Sequence, residues 1–190
     1  MGTWDMPAWA GCALVALAVS AGAIDLRLGK VPNWITYPAM AVGLVGHWIT
    51  GGTGLDGEQL GLVGSLAGLA VGFLPMLFCW LSFGAPGGGD VKLTGAIGAL
   101  GGWRFVLSAM LYGFIAGAVM ALVVMVRRRL VRRTLRRVWR TLVLLVIPGA
   151  RPVEAVGQDS PTIPFAVALC LGTAGAAVEV LLRSWLAHVP

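Results

Sequence analysis

The sequence predicts an all-α membrane protein, a compact bundle of six transmembrane helices. Of its 190 residues, 58% are hydrophobic and only 12% are charged, whereas charged residues make up about 25% of an average soluble domain. So few polar residues cannot cover a water-soluble globule of this size. The uncharged stretches long enough to cross about 30 Å of hydrocarbon as helices are 6–24, 31–55, 59–89, 105–126 and 160–178. Six spans leave little else, which predicts one membrane-embedded domain covering residues 1–190.

The placement of basic residues orients this bundle. Lysine and arginine accumulate in short cytoplasmic loops. With both termini outside, 12 of the 14 basic residues face the cytoplasm, and only Arg104 and Arg183 do not. The first span is expected to be retained, because Asp5 is the only charge before residue 25 and a cleaved signal peptide begins with basic residues.

The short uncharged stretch 93–103 is expected to form half of a helical hairpin. One helix begins near Asp90, turns at residues 101–104, and a second helix returns through residues 105–126. Gly101 and Gly102 supply a permissive backbone at the turn, and Trp103 suits the membrane–water interface. If this segment failed to span, the arginine-rich region that follows would face outward, against the charge bias.

The remaining spans follow from apolar runs and from glycine spacing. The sixth span is expected to start near residues 161–164 and to end near Arg183. Gly64, Gly68 and Gly72 are spaced four apart, and such small-residue faces let helices approach closely in lipid.

Cysteine and histidine usage argues against a metal or disulfide framework. Cys12, Cys79 and Cys170 all lie in apolar runs without CxxC spacing, which favours packing roles. His47 and His188 lie far apart and no HExxH motif is present, so a zinc-dependent hydrolase is not expected. We predict no metal and no cofactor.

Two carboxylates are the candidates for chemistry. Asp25 closes the first span, and Asp90 lies at the junction of the third and fourth spans. Both connections fall on the cytoplasmic side, so residues 65 positions apart reach one membrane face. An ionised aspartate near the hydrocarbon boundary has a free-energy cost, and such a residue is therefore a candidate for function.

Asp90 follows three glycines, Gly87, Gly88 and Gly89, and precedes Lys92. A backbone without side chains at this point allows an extended substrate strand to approach closely. The carboxylate would also stand at a helix start, where the helix dipole favours an anion. The alternative is an ordinary loop followed by an ordinary first-turn acid.

Asp25 precedes Arg27, Lys30, Pro32 and Asn33. A structural explanation is open here too: Asp25 would pair with Arg27 or Lys30, and Pro32-Asn33 would form a turn into the second span.

Together the two segments resemble the type IV prepilin peptidases, membrane aspartyl proteases of the GxGD class. The first acid of that family lies in D-x-x-x-x-x-[IV]-P-N-x-[IL]-T, matched by residues 25–36, and the second lies in G-x-G-D-x-K-L, matched by residues 87–93. The glycine-rich stretch 95–103 and the stretch 161–169 resemble the fourth and last helices of the family. The resemblance covers roughly residues 8–126 and 160–182.

This resemblance implies that Asp25 and Asp90 are a catalytic pair in the bacterial inner membrane, acting on the leader of prepilin precursors. Larger family members carry a cytoplasmic insertion with paired CxxC motifs and also N-methylate the product. This chain has no CxxC and resembles the short branch that serves Flp-type, tight-adherence pili, so methyl transfer is not expected.

Two carboxyl groups that share a site resist simultaneous ionisation. The charged one takes a proton from water, whose oxygen attacks the scissile carbonyl, and the neutral one donates its proton to the oxyanion; a proton held by the pair then passes to the leaving amine. Because the pair titrates as a unit, the sequence does not assign the proton to either residue. Three nearby basic residues have two possible roles. They either tune the pKa values of the two aspartates or hold the substrate, or they are simple charges at the membrane boundary, which is the favoured role: Arg27, Lys30 and Lys92.

An arginine-rich segment over residues 127–151 is not part of the motif set. Eight arginines between Arg127 and Arg140 alternate with apolar residues at a spacing near four, which predicts a basic amphipathic helix on the anionic inner leaflet. A simple retention charge is the alternative. Nucleic-acid binding is disfavoured, since the segment adjoins the bilayer and offers one tryptophan for stacking.

Three other functions compete with the peptidase as explanations of the sequence. A catalytically idle assembly factor for a pilus or secretion complex is opposed by the presence of both aspartates. A small proton-coupled transporter would place its acids near the midplane and show inverted repeats, and none is visible. A Ser–Lys protease using Ser82 and Lys92 has no supporting spacing. Homo-oligomer formation is left open by the sequence.

Overall fold

The computed structural model describes residues 7–54, 60–84, 86–128 and 165–187, and every regular element among them is a helix. Five helices are present in these ranges: α1 (Ala8–Leu28), α2 (Asn33–Gly51), α3 (Leu62–Phe83), α4 (Gly88–Arg127) and α5 (Phe165–Ala187). The prediction of an all-helical protein is confirmed for this part of the chain.

Four of these helices are long and apolar enough to cross a membrane. They are α1, α3, α4 and most of α5, Phe165–Leu186, with a mean hydropathy of at least 1.8 each. The 19-residue α2 falls outside this set. A multi-pass membrane protein is therefore supported, whereas six crossings and the outward position of both termini stay predictions.

The helix ends are set by local sequence. Pro32 has an extended backbone (φ −76°, ψ 148°) and α2 begins at the next residue, Asn33. Gly29 and Gly84 close α1 and α3 with left-handed φ values of 62° and 70°, a conformation that strongly favours glycine. α1 continues to Leu28, so Asp25 lies inside its last turn rather than after it.

The chain reverses direction within α4. Gly102 has φ 78° and ψ 173°, which no helix accommodates. A Cβ atom at Gly72 of α3 would lie 2.5 Å from the Thr94 carbonyl oxygen and 3.0 Å from Cγ2 of Val106. Twelve residues of straight helix would separate Thr94 from Val106 by about 18 Å. Residues 88–101 and the part of α4 that directly follows Gly102 are therefore the two arms of a hairpin, and the break at Gly102 falls within the turn predicted at residues 101–104.

Carbonyl groups at the end of the first arm are bonded by the neighbouring helices. The last four carbonyls of a helix lack intrahelical partners. The Ser65 hydroxyl donates to the Ala99 carbonyl at 2.6 Å, and Nε2 of the buried His47 is 2.8 Å from the Leu100 carbonyl oxygen. These two bonds stabilise the break at Gly102.

Glycine-to-backbone contacts explain how tightly the helices meet. Gly68 of α3 lies directly against Gly98 of the first arm. A Cβ atom added at Gly43 of α2 would lie 2.7 Å from the Ala99 carbonyl group. Gly64, Gly68 and Gly72 are all buried. The packing face predicted from their spacing is therefore present on α3.

The chain divides into two compact units, one of Met1–Gly117 with Pro164–Pro190 and the other of Ala118–Ile163. The packing above and the site below belong to the first unit. Of the second unit, the described residues are 118–128, which contain the last turns of α4. Most of the predicted amphipathic segment 127–151 lies outside the described residues; Arg127 and Arg128 are exposed.

Candidate active site

Asp25 is a buried acid whose carboxylate is held by α5. Its side chain lies in the last turn of α1 and the residue is only 6% exposed. The backbone N–H of Ala166 donates to Asp25 Oδ2 at 3.2 Å, and the N–H of Val167 also acts on this carboxylate. Both N–H groups lie in the first described turn of α5, which begins at Phe165. Asp25 supplies the acceptor, and the contact fixes its orientation.

Asp90 stands in the first turn of α4, as the sequence predicted. Its N–H donates to the Gly87 carbonyl at 2.9 Å, and its Oδ2 accepts the Gly87 N–H at 3.2 Å. The residue is half-buried. The loop before Asp90 packs through Gly89 on Val31, shortly after the end of α1, so the structure brings the segments that carry Asp25 and Asp90 to one end of the bundle.

The two sequence motifs contact each other directly. A Cβ at Gly89 would lie 3.0 Å from the Val31 carbonyl oxygen and 3.2 Å from Val31 Cβ, so the glycine loop packs on the segment after α1. Nζ of Lys92 donates to Oδ1 of Asn33 at 2.8 Å and lies 5.2 Å from the centre of the Tyr37 ring. These contacts tie the start of α4 to the start of α2.

The other predicted residues occupy the rim of this end. Gly87 is exposed, and Gly88 and Pro32 are half-buried. Arg27 and Lys30 are exposed, and neither forms an ion pair with Asp25 among the described residues, where the one salt bridge joins Arg183 to Glu179. The pairing considered for Asp25 is thus replaced by its bond to α5.

Three contributors to this end were not predicted from the sequence. Ala166 acts through its backbone, which carries no sequence signature beyond the nearby prolines that mark a helix start. Cys170 lies one turn further along α5: its thiol donates to the Ala18 carbonyl at 2.8 Å, and its Sγ would lie 3.1 Å from a Cβ at Gly22 of α1. Trp80, near the end of α3, approaches the glycine loop at Gly88.

Among the described cysteines and histidine, His47 is the buried side chain, whereas Cys12 is exposed. All three cysteines are free. His47 is 1% exposed and contacts the Trp9 ring at a centroid distance of 4.8 Å. Within the described ranges, no group of three or more His, Cys, Asp or Glu side chains is arranged to hold a metal ion.

Fold and site together define a class: a helical membrane protein with two carboxyl groups converging at one end of its bundle. The chain matches the type IV leader peptidase family over residues 12–122. It belongs to that family, as the two motifs had indicated.

Curated relatives carry the name prepilin leader peptidase/N-methyltransferase. One from Xanthomonas campestris pv. campestris is 31% identical over 121 residues, which is 59% of this chain and 40% of the relative. One from Burkholderia pseudomallei strain 1026b is 32% identical over 131 residues, 65% of this chain and 40% of the relative. The chain thus matches about two fifths of the length of these relatives. No solved structure matches the chain significantly.

Proposed function

We propose that this protein is a membrane aspartic endopeptidase that removes the leader from prepilin-like precursors. The observation that carries the proposal is the meeting of the two aspartate segments, through Gly89 on Val31 and Lys92 on Asn33. Family membership supports a peptidase of this kind, and the Asp25–Asp90 pair supplies the chemistry that peptide hydrolysis needs.

The hydrogen bonds of the two aspartates favour a shared water. In each carboxylate, Oδ2 accepts a backbone N–H, from Ala166 for Asp25 and from Gly87 for Asp90. Lone pairs that remain on each carboxylate can accept a hydrogen bond from a water molecule placed between them. The ionised carboxylate would take a proton from water as the water oxygen attacks the scissile carbonyl, and the protonated carboxyl would give its proton to the oxyanion. The proton taken from water would then pass to the leaving amine, while a hydroxyl of the diol intermediate returns a proton to the second carboxylate.

A site at one end of the helices suits a precursor with a hydrophilic leader followed by an apolar helix. The leader would remain in water while the helix lies in lipid, so the scissile bond would fall at the level of Asp25 and Asp90. By the basic-residue rule this is the cytoplasmic face of the bacterial inner membrane. We propose an Flp-type prepilin as the substrate and do not extend methyl transfer to this chain, which has no CxxC motif.

Co-expression with candidate precursors, followed by the mass of the processed N-terminus, tests the proposal. We expect cleavage by the wild-type protein and none by Asp25→Asn or Asp90→Asn, with both variants inserted in the membrane at wild-type levels. Glu179→Gln is the matched control. Glu179 lies on α5, 13 residues after Ala166, and accepts hydrogen bonds from Tyr112 of α4 and Arg183 of α5. Cleavage that persists in either asparagine variant would contradict the proposal.

Purified protein separates this function from the others. A peptidase cleaves the precursor in detergent without further components, whereas an assembly factor would not. A proton-coupled transporter would acidify or alkalinise the lumen of liposomes without cutting any precursor.

A further inference from the structure

The second helix, α2, extends from the aspartate end of the bundle to the opposite end, and it contacts both α1 and α3. Asn33, its first residue, bonds to Lys92 in the first turn of α4 at 2.8 Å. Nε2 of His47, near its other end, is 2.8 Å from the Leu100 carbonyl oxygen, at the far end of the first arm of the hairpin. A bundle that lies in a membrane therefore carries α2 across the same layer as its neighbours.

Two exposed tryptophans mark the ends of the apolar face of α2. Trp34 is 71% exposed and Trp48 is 57% exposed, and Val42 and Val45 are exposed between them. Fourteen residues are close to four helical turns, so both indoles project from one face of the helix, about 21 Å apart along its axis. Because tryptophan is enriched at the two membrane–water interfaces, this face fits a hydrocarbon layer of about 21 Å.

The neighbouring α3 has a longer apolar face. Its exposed apolar side chains extend from Val63 to Phe83, which is about 30 Å of helix and matches the hydrocarbon core of a typical bilayer. The apolar face of α2 is therefore shorter than such a core by about 9 Å. A span that is too long can tilt. A span that is too short requires a thinner bilayer or long flanking side chains that reach the interface, and each ångström of mismatch costs free energy.

Long flanking side chains do not make up this difference on α2. The helix contains no lysine or arginine, the residues whose charged ends can reach an interface from within the hydrocarbon. Nζ of Lys92, beside the start of α2, is bound to Oδ1 of Asn33 and lies 5.2 Å from the centre of the Tyr37 ring, so it stays level with the first turns of the helix. A thinner bilayer is the remaining way to accommodate the mismatch.

We infer that the bilayer is thinned beside α2, and that the exposed face between Trp34 and Trp48 is the lipid-binding surface that thins it. Because Lys92 ties the start of α4 to Asn33, the thinned interface lies level with the segments that carry the two aspartates. A hydrophilic leader would then reach the aspartates from water without entering hydrocarbon. This consequence for access rests on the proposed function, whereas the fit to a thin bilayer does not.

Quenching of tryptophan fluorescence by brominated phosphatidylcholine tests the fit in reconstituted vesicles. Competition with unbrominated lipids gives the relative affinity for monounsaturated phosphatidylcholines, from myristoleoyl through oleoyl to erucoyl chains. We expect the wild-type protein to bind myristoleoyl lipid most tightly, with an affinity for erucoyl lipid lower by about tenfold. A maximum at oleoyl chains or longer, or equal affinity for all chains, would overturn the inference.

Variants at single tryptophans locate the preference on α2. Trp48→Leu removes one interfacial anchor and lets hydrocarbon cover the last turn of the helix, so we expect it to weaken the preference for short chains severalfold. Trp185→Leu is the matched control: Trp185 is 66% exposed, and it lies 19 residues after Ala166 on α5, about 28 Å of helix, which needs no thinning. An equal loss of preference in both variants would contradict the assignment to α2. If Trp48→Leu failed to insert, Trp34→Leu would take its place in this comparison.

Precursor cleavage in the same vesicles tests the consequence for access. We expect kcat/KM of the wild-type protein to be about tenfold higher in myristoleoyl than in erucoyl vesicles, and this ratio to fall in Trp48→Leu but not in Trp185→Leu. Cleavage at one rate in all vesicles would overturn the role in access. Absence of cleavage in every vesicle would overturn the proposed function, while the quenching measurement would still decide the fit to a thin bilayer.

Discussion

The amide of Ala166 donates a hydrogen bond to Oδ2 of Asp25 across 141 residues of sequence. This bond joins the last turn of α1 to the first turn of α5 and orients an acid that is almost fully buried. One end of the bundle is thereby organised by backbone N–H groups, on Asp25 from α5 and on Asp90 from its own loop.

Removing the Ala166 donor should impair catalysis without unfolding the protein. Proline lacks the N–H group but is tolerated in the first turn of a helix. We expect Ala166→Pro to lower kcat/KM for precursor cleavage about tenfold, the scale of one hydrogen bond to a charged group. Ala166→Gly keeps the donor and should remain within a small factor of wild type. Equal activity of the two variants would show that the bond does not matter.

The Lys92–Asn33 bond should couple the two motif segments energetically. Its distance of 2.8 Å joins residues 59 positions apart. In a double-mutant cycle of Lys92→Ala and Asn33→Ala, we expect an interaction free energy of about 1 kcal/mol from thermal unfolding in detergent. Strictly additive losses would mean that the contact contributes nothing. Tyr37→Ala, measured alongside, reports the separate contribution of the ring beneath the Lys92 ammonium.

Gly98 should not tolerate a side chain. An added Cβ would overlap the Gly68 carbonyl oxygen on α3, and backbone on both sides leaves no flexible group to move. We expect Gly98→Ala to destabilise the fold by about 3 kcal/mol or more, seen as a lower melting temperature. Gly117→Ala is the control, because its nearest contact would be an ordinary 3.5 Å to the Ala168 methyl. Similar melting temperatures for both would contradict the close approach.

His47 should matter for stability rather than for catalysis. Its Nε2 bonds to the Leu100 carbonyl at the break in α4, and it lies 14 residues, or about 21 Å of helix, from Asn33. We expect His47→Leu to cost about 1–3 kcal/mol by leaving that buried carbonyl unpaired, as measured by thermal unfolding. The folded fraction should cleave precursor at the wild-type rate, and a specific loss of turnover would refute this role.

The sequence was sufficient for the parts of this protein that depend on local pattern. Apolar run lengths predicted the helices, and the short uncharged stretch that ends at residues 101–104 predicted the hairpin. Opposite chain directions of successive helices then brought Asp25 and Asp90 to one end. The prediction that both lie beside the cytoplasm depends on the membrane orientation and stays a prediction.

Contacts between distant backbones were beyond sequence reasoning. The acceptor chosen by the first N–H groups of α5 depends on how that helix packs on α1, and no residue type at Ala166 encodes it. Likewise Gly98 and Gly68 are two of 28 glycines, and only the packed structure distinguishes them from open positions such as Gly11. The sequence also does not distinguish Trp80 from the other apolar residues of its span, whereas the structure places its indole next to Gly88.

The pairing of the aspartates is tested most directly by kcat/KM for precursor cleavage in Asp25→Asn, Asp90→Asn and the double variant. Residues that act as a unit give strongly non-additive losses. If one water is handled by both carboxyl groups, each single variant should be as inactive as the double variant, with all three folded. Measurable cleavage in one single variant, or losses that multiply in the double variant, would contradict a shared catalytic step.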